Sequence, residues 1–308
     1  MRSPAGAALL VLLTACGAGS STPAADQQDT AVSREPGPCA PTPGYPFGGL
    51  AGVKKDGSVT VFRRGGDFDH FVIASVGDDP ENPPTEGDGS FVESVAVVPT
   101  ESCGVFVALC CEPVSGLTKW FATPDAEPVD LYGRLPVVSP DGMRVALAGY
   151  GELSVRSTAD PVTEGATIGL PGAGSGLVLD MMWLDDDRLV LLVNTEGEVL
   201  LHEAVVSEGT MRPGRKLAVG STDVSALLIG LIGGKLLVQE RSGSMVREES
   251  FDPLTLESTG SVPADPTWPY VRRSGSRTVV ISREGTLSAW MEGDKDPTML
   301  GSDYWWAG

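Results

Sequence analysis

Residues 135–157 read LPVVSPDGMRVALAGYGELSVRS. Short runs rich in Val, Leu and Ala are separated by turns that contain Pro, Asp and Gly, which is the pattern of antiparallel strands joined by tight turns. The unit predicts four strands, at Leu135–Ser139, Arg144–Gly149, Glu152–Ser157 and Ala166–Leu170. From residue 47 onward no stretch has helical periodicity, so the whole region is predicted to be all-β.

The Gly-centred turn of this unit recurs along the chain. Its glycines are separated by 59, 35, 46, 46 and 42 residues, an average of about 46, which is close to the period of a four-stranded propeller blade. The repeats therefore predict a six-bladed β-propeller. The six turns are Lys55-Asp56-Gly57-Ser58, Val114-Ser115-Gly116-Leu117, Gly149-Tyr150-Gly151-Glu152, Thr195-Glu196-Gly197-Glu198, Arg241-Ser242-Gly243-Ser244 and Arg283-Glu284-Gly285-Thr286.

Blade four follows the same layout as the first unit. Its predicted strands are Leu179–Leu184, Arg188–Asn194, Glu198–Val206 and Arg215–Val219. The first repeat lacks an innermost strand, whereas residues 303–306, Asp-Tyr-Trp-Trp, are similar to residues 180–183, Asp-Met-Met-Trp, of blade four. We therefore expect the C-terminal strand to close the ring and to remove two exposed sheet edges.

The stretch Val137-Val138-Ser139-Pro140-Asp141-Gly142-Met143-Arg144-Val145-Ala146 resembles the repeat of TolB-like and WD-repeat propellers. The resemblance covers one blade. Two other blades carry Leu184-Asp185-Asp186-Asp187 and Ile232-Gly233-Gly234 in place of the Ser-Pro-Asp-Gly turn. The resemblance implies the propeller fold but no particular function, because propellers include enzymes, scaffolds and receptors.

Residues 1–15 have the pattern of an export signal, with Arg2 ahead of an apolar run from Ala7 to Leu13. Leu13-Thr14-Ala15-Cys16 resembles the lipobox of bacterial lipoproteins. This resemblance implies cleavage before Cys16 and acylation of its thiol, so that the mature chain is anchored on the outer side of a membrane, inner or outer. The alternative is an ordinary secretory leader with an accidental Cys.

Residues 16–46 are rich in Gly, Ser, Thr, Ala and Pro and predict a flexible tether. Its part from Gly17 to Pro38 would have an end-to-end distance of about 25 Å as a random coil. The predicted organisation is therefore a signal peptide at 1–15, the lipidated Cys and tether at 16–46, and the propeller at 47–308.

The formal net charge is −19, from 22 basic and 41 acidic residues. This balance argues against a surface that neutralises phosphates, so no nucleic-acid partner is predicted. The acidity is consistent with a solvated surface, a basic partner or a bound cation, and composition does not separate these.

Four cysteines remain besides Cys16, and an exported protein can form disulfides. Cys103 and Cys110 bracket one strand, about 23 Å apart, which is beyond the ~7 Å limit for a bridge. In propeller topology Cys103 lies in the turn between the first two strands of blade two, within reach of Cys39. We predict a Cys39–Cys103 disulfide, with Cys110 and Cys111 either bridged to each other or left as two thiols.

The functional sites of propellers usually lie on the face that carries the loops between blades. The longest of these loops, 77–89, holds five carboxylates and is open to three interpretations: a cation site, a solvated loop or a partner contact. Further candidates at the same mouth are consistent with binding or with turn and cap chemistry. The candidate binding face therefore comprises Asp78, Asp79, Glu81, Glu86, Asp88, Arg134, Asp223, Asp265, Trp268 and Asp303.

Residues suited to catalysis are few. His70 and His202 are the two histidines, and both are expected to be structural, which leaves little material for a catalytic triad or a multi-His metal centre. The four tryptophans that could carry a per-blade quinoprotein motif do not form one; they are Trp120, Trp183, Trp268 and Trp290. The sequence favours a monomeric, non-catalytic platform without metal or cofactor that binds another envelope protein. A metal-dependent, lactonase-like hydrolase and a small-ligand sensor are the alternatives.

Overall fold

The computed structural model describes residues 39, 49–63, 68–71, 92–99, 103–109, 116–123, 126–170, 176–217, 224–242, 245–263, 270–274 and 277–308. These residues contain no helix and form twenty-four strands in six sheets of four. The protein is a six-bladed β-propeller, as the repeats predict.

The strands of the first three blades follow one another in chain order. They are β1 (Ala51–Lys54), β2 (Val59–Phe62) and β3 (Phe68–Phe71); β4 (Val92–Val97), β5 (Val105–Leu109), β6 (Leu117–Phe121) and β7 (Val129–Tyr132); and β8 (Arg134–Val138), β9 (Arg144–Ala148), β10 (Glu152–Ser157) and β11 (Ala166–Gly169).

The last three blades are built in the same way, and one strand follows them. These strands are β12 (Leu177–Trp183), β13 (Arg188–Thr195), β14 (Glu198–Val205) and β15 (Thr210–Lys216); β16 (Val224–Ile232), β17 (Lys235–Ser242), β18 (Met245–Phe251) and β19 (Ser258–Pro263); β20 (Tyr270–Ser274), β21 (Arg277–Ile281), β22 (Leu287–Met291) and β23 (Thr298–Gly301); and finally β24 (Tyr304–Ala307).

Each blade is an antiparallel four-stranded sheet; in blades two to six the first strand in the chain lies innermost, and in blade one β24 takes this place. This order defines two faces of the ring. The connection face carries the links between blades and the turns between the second and third strands. The turn face carries the first-to-second and third-to-fourth turns.

The ring is closed by β24, which becomes the innermost strand of blade one and pairs antiparallel with β1. The backbone of Ala51 exchanges hydrogen bonds with Gly308 at 2.8 and 3.0 Å. Gly52 leaves room for the buried ring of Tyr304, since a Cβ at position 52 would lie 2.5 Å from that ring. The predicted closure by the C-terminal strand is confirmed.

The predicted Gly turns join the second strand to the third in each blade. Five of their central glycines have φ between +71° and +89°, a left-handed conformation that L side chains rarely adopt, whereas Gly243 lies outside the described residues. The repeat seen in the sequence is therefore a backbone requirement of the blade.

Two different sequences make the same turn between the first two strands of a blade. In blade three Ser139 N–H donates to the Arg144 carbonyl at 2.8 Å, and Asp141 accepts the Met143 N–H. In blade four Leu184 N–H donates to the Arg188 carbonyl at 2.8 Å, while Asp185 accepts two backbone N–H groups. An Asp that caps the turn is the shared feature.

The predicted fourth strand of blade four, 215–219, is wrong in its position. The chain turns back within residues 206–209, where Gly209 has φ +62° and the Ser207 hydroxyl donates to Asp187, so β15 starts at Thr210. As an outermost strand β15 is largely polar, and the apolar Leu217 beyond it drew the prediction too far along the chain.

The core is divided among the six interfaces between neighbouring blades, with one apolar cluster at each. Among the described residues the interface between blades five and six is the thinnest, with Ile229, Val271 and Val280 as its buried members. A polar network inside the ring crosses this interface.

Candidate functional site

The central channel opens into a cavity at each end. The connection-end cavity has a volume of about 450 Å³ and is lined by Lys55, Glu93, Leu135, Leu179, Asp180, Leu227, Tyr270, Arg272, Ile281, Ser282, Arg283, Gly285, Tyr304, Trp305 and Trp306. The turn-end cavity has about 440 Å³. Its lining is Gly49, Val95, Ala96, Val97, Pro136, Val137, Val138, Pro140, Met181, Met182, Trp183, Leu184, Ile229, Leu231, Arg272, Arg273, Arg277, Val279, Trp306 and Gly308.

Asp180 is the best-connected carboxylate of the channel. It lies on β12 and is 5% exposed. One oxygen accepts the Leu228 N–H of β16 at 2.7 Å, and the other accepts Arg272 Nη2 of β20 at 2.7 Å and the Met181 N–H at 3.0 Å. The carboxylate therefore joins the inner strands of blades four, five and six.

Arg272 extends this network around the ring. Its Nη1 donates to the Leu228 carbonyl at 2.6 Å, and its Nε donates to the Tyr270 hydroxyl at 3.1 Å. The Tyr270 hydroxyl donates to the Ala307 carbonyl of the closing strand. Burial alone would lower the pKa of Arg272, but the Asp180 carboxylate and Tyr270 raise it overall above its usual range, so the cation is firmly held.

A second ion pair joins blades two and three. Arg134 on β8 meets Glu93 on β4 in a two-pronged contact, with Nε donating to Oε2 at 3.0 Å and Nη2 donating to Oε1. Burial lowers the pKa of Arg134 below its ordinary value. The charged side chains of the Asp180–Arg272 and Glu93–Arg134 pairs therefore mainly hold blades of the ring together.

Two of the sequence-predicted candidates are described by the structure. Arg134 lies at the predicted mouth, but its guanidinium is engaged by Glu93. Asp303 is exposed on the connection face with φ +67°, and its carbonyl accepts the Lys55 N–H at 2.8 Å. The other candidates lie outside the described residues: Asp78, Asp79, Glu81, Glu86, Asp88, Asp223, Asp265 and Trp268, together with Cys16, Cys110 and Cys111.

The structure joins Cys39 to Cys103, the pair that the sequence predicts, with Cα atoms 5.5 Å apart. Both residues are buried in the core between blades one and two. Cys103 precedes β5, so the disulfide lies on the turn face.

Four residues of these channel networks were not predicted as site residues from the sequence: Glu93, Asp180, Arg272 and Tyr270. The available signal was a charged residue within an apolar innermost strand, as Asp180 is within Leu177–Trp183. Because an isolated buried charge is costly, such a residue predicts a partner, although the sequence does not say which one.

Two large aromatic side chains are exposed on the connection face at the junction of blades two and three. Tyr132 ends β7 and is 76% exposed, and Tyr150 lies in the turn after β9 and is 60% exposed. A Cβ at Gly133, next to Tyr132, would lie 2.8 Å from Leu147 Cβ and 3.4 Å from the Ala148 carbonyl oxygen, so β7 ends beside the end of β9 that precedes Tyr150. We refer to Tyr132 and Tyr150 as the tyrosine pair.

Groups suited to catalysis are sparse in the described part of the chain. No three His, Cys, Asp or Glu side chains gather there as a metal site. His202 is buried in β14 with Nδ1 3.2 Å from the Arg212 carbonyl, and burial lowers its pKa. Nor do the described residues include a helix long and apolar enough to cross a membrane.

No protein-family model and no curated protein matches the chain. Among solved structures, hydrazine synthase of Kuenenia stuttgartiensis is similar with a TM-score of 0.54 and 13% identity, over 86% of this chain and 80% of that one. The WD40 domain of Toxoplasma gondii coronin gives 0.49 and 13%, over 84% and 69%. The Dos1 propeller gives 0.43 and 12% over 71% of this chain, which spans only 60% of the Dos1 chain. Similarity at these identities shows the propeller fold alone.

Proposed function

We propose that this protein is a non-catalytic, protein-binding platform of the cell envelope, which acts as a monomer and is anchored through a lipid on Cys16. The anchor rests on the lipobox-like residues 13–16. The binding role rests on the fold class, since propellers commonly serve as interaction scaffolds, and on the chemistry of the connection face.

The observation that carries the proposal is the exposed tyrosine pair. Tyrosine supplies a large, rigid and amphipathic contact surface and is enriched at interface hot spots. The neighbouring Arg134 is occupied by Glu93, so the patch offers aromatic area more than free charge. The Cys39–Cys103 disulfide lies on the turn face, on the opposite side of the ring from this patch.

Site-specific photo-crosslinking in cells tests the binding face. A crosslinker at position 150 should capture one reproducible envelope protein. The same crosslinker at Leu254, which is 68% exposed on the turn face, should not capture it. Replacing both tyrosines with Ala should lower recovery about tenfold or more, as expected for hot spots. Equal capture from both positions would refute the assignment of the face.

Metal analysis of the same purified sample tests the non-catalytic part of the proposal. A stoichiometric, tightly held ion without a protein partner would overturn it in favour of a hydrolase. The anchor is tested separately by Cys16→Ser, which should move the protein out of the membrane fraction while leaving its thermal melting unchanged.

A further inference from the structure

The turn-end cavity has an unusual composition for a protein with a net charge of −19. Its walls are mostly apolar, with contributions from the inner strands of all six blades, including Val95, Val137, Met181, Ile229 and Trp306. Its volume of about 440 Å³ lies within the range of small-molecule sites.

All the charged groups among the described lining residues of this cavity are arginines. Arg272, Arg273 and Arg277 come from one blade, on β20 and β21, and neither Asp nor Glu accompanies them in the lining. The cavity therefore combines apolar surface on most sides with positive charge on one side.

The three arginines differ in how far they are neutralised. Arg272 is balanced by Asp180 at 2.7 Å. Arg273 is half-buried, and within the described ranges its side chain has neither a hydrogen-bond nor an ion-pair partner. Burial lowers the pKa of Arg277 below its ordinary value. A half-buried guanidinium without a carboxylate is an open site for an anion, because a paired charge costs far less to bury than an unpaired one.

We infer that the turn-end cavity binds a small organic carboxylate with an apolar body. The guanidinium of Arg273 would take the carboxylate in a charge-assisted, two-pronged contact, and the apolar walls would cover the rest of the molecule. A free inorganic anion is a poorer match, because it would leave the apolar walls uncovered. This site is independent of the proposed protein-binding face, which lies at the other end of the ring.

The probes for the test are octanoate, octanol and acetate, titrated calorimetrically into the full chain carrying Cys16→Ser so that no attached acyl chain competes. Octanoate should bind with one-to-one stoichiometry. Octanol lacks the charge and acetate lacks the apolar body, so each should bind at least about tenfold more weakly. Trp183 and Trp306 line the cavity and provide a fluorescence signal at the site.

Two variants examine the arginine directly. Arg273→Met keeps the length of the side chain and removes its charge, so the octanoate affinity should fall about tenfold. Pro140→Glu places a resident carboxylate at an exposed position of the lining and should weaken octanoate binding as well. The matched control is Lys55→Met, which removes one cation from the connection-end cavity and should leave octanoate binding unchanged.

The inference is overturned if octanol binds as tightly as octanoate, if Arg273→Met binds octanoate like the parent chain, or if octanoate shows no saturable binding up to about 1 mM. Thermal melting of each variant establishes that it is folded. Should Arg273→Met fail to fold, Pro140→Glu decides the question alone. None of these outcomes bears on the crosslinking result at the tyrosine pair.

Discussion

The two ends of the central channel differ in whether their charged side chains are paired. At the connection end, Asp180 and Glu93 each hold an arginine from another blade. At the turn end, Arg273 lies beside mostly apolar walls, and neither Asp nor Glu is among the described lining residues of that cavity. Charges that are matched within the protein join blades to one another, whereas a cation left unmatched beside an apolar wall is suited to a ligand.

The position of the paired charges follows from the packing. Among the described residues few apolar side chains are buried between blades five and six, and the network of Asp180, Leu228 and Arg272 spans that interface. Since a buried ion pair with complete hydrogen bonding is tolerated where an isolated charge is not, the pair can strengthen an interface that lacks apolar area.

Removing residues 303–308 should have the largest effect, because both ends share Trp306 and the ring loses its closing strand. The melting temperature should fall by more than about 10 °C, measured by circular dichroism. Replacing Ser302 with Ala and Asp303 with Asn keeps the strand and serves as the control, because Asn tolerates the positive φ of position 303. A truncated chain that melts like the intact one would eliminate the closure model.

Asp180→Asn should rank next, because it leaves the Arg272 cation buried without its counter-ion. We expect a loss of about 3–5 kcal/mol in the free energy of unfolding, measured by urea denaturation. Asp303→Asn, at an exposed position, is the matched control. Adding Arg272→Met to an Asp180→Leu chain should recover part of the loss. An unchanged Asp180→Asn protein would mean that the pair contributes nothing to the ring.

Glu240, a buried carboxyl group outside the channel, provides a second test of how paired and unpaired charges affect stability. Glu240 on β17 is 1% exposed, and burial, together with the neighbouring Glu249, raises its pKa from 4.5 to about 7. The folded state then holds a proton that the unfolded state releases between these values. Stability should therefore fall by about 3 kcal/mol as the pH rises from about 4.5 to 7, with little further change above.

Glu240→Gln should remove most of that pH dependence and make the protein more stable than the parent chain at pH 8. Thermal melting between pH 5 and 8 measures the effect, with the exposed Glu164→Gln as control. A parent chain whose stability rises across this range would contradict the assignment to Glu240.

Glu93→Gln should have a smaller effect than Asp180→Asn. The Arg134 and Glu93 side chains are 27% and 14% exposed, against 21% and 6% for Arg272 and Asp180, so water reaches this pair more easily once the carboxylate is neutralised. We expect a loss of about 1–2 kcal/mol in urea denaturation. A loss as large as that of Asp180→Asn would contradict this ranking, because it would show that the two ion pairs contribute equally to the free energy of unfolding.

The smallest expected effect is at the wall of the turn-end cavity. Trp183 Nε1 donates to the Val137 carbonyl at 3.0 Å, which joins blades three and four. Trp183→Phe removes this hydrogen bond and should cost about 1 kcal/mol, measured by denaturation. Trp305→Phe, in the other cavity, provides a comparison for the loss of an indole at a more exposed position.

The blade count, the Gly turns and the closing strand could be predicted because each depends on neighbours along the chain. A glycine with positive φ and an alternating strand leave a local pattern that repeats in every blade. The outermost β15 was misplaced because a largely polar edge strand lacks that pattern. The candidate site was predicted less well. The propeller topology placed it on the connection face, but the ion pairs and hydrogen bonds that its residues form could not be predicted from the sequence.

By itself, the sequence determined the all-β class, the order of the strands and the strand that closes the ring. Only the tertiary structure decided that Asp180 meets Arg272, 92 residues further along the chain, and that Arg273 and Arg277 share a cavity with walls from all six blades. The reason is physical: hydrogen bonds within a blade form between residues close in sequence, whereas side chains meet across the channel only after the ring has closed.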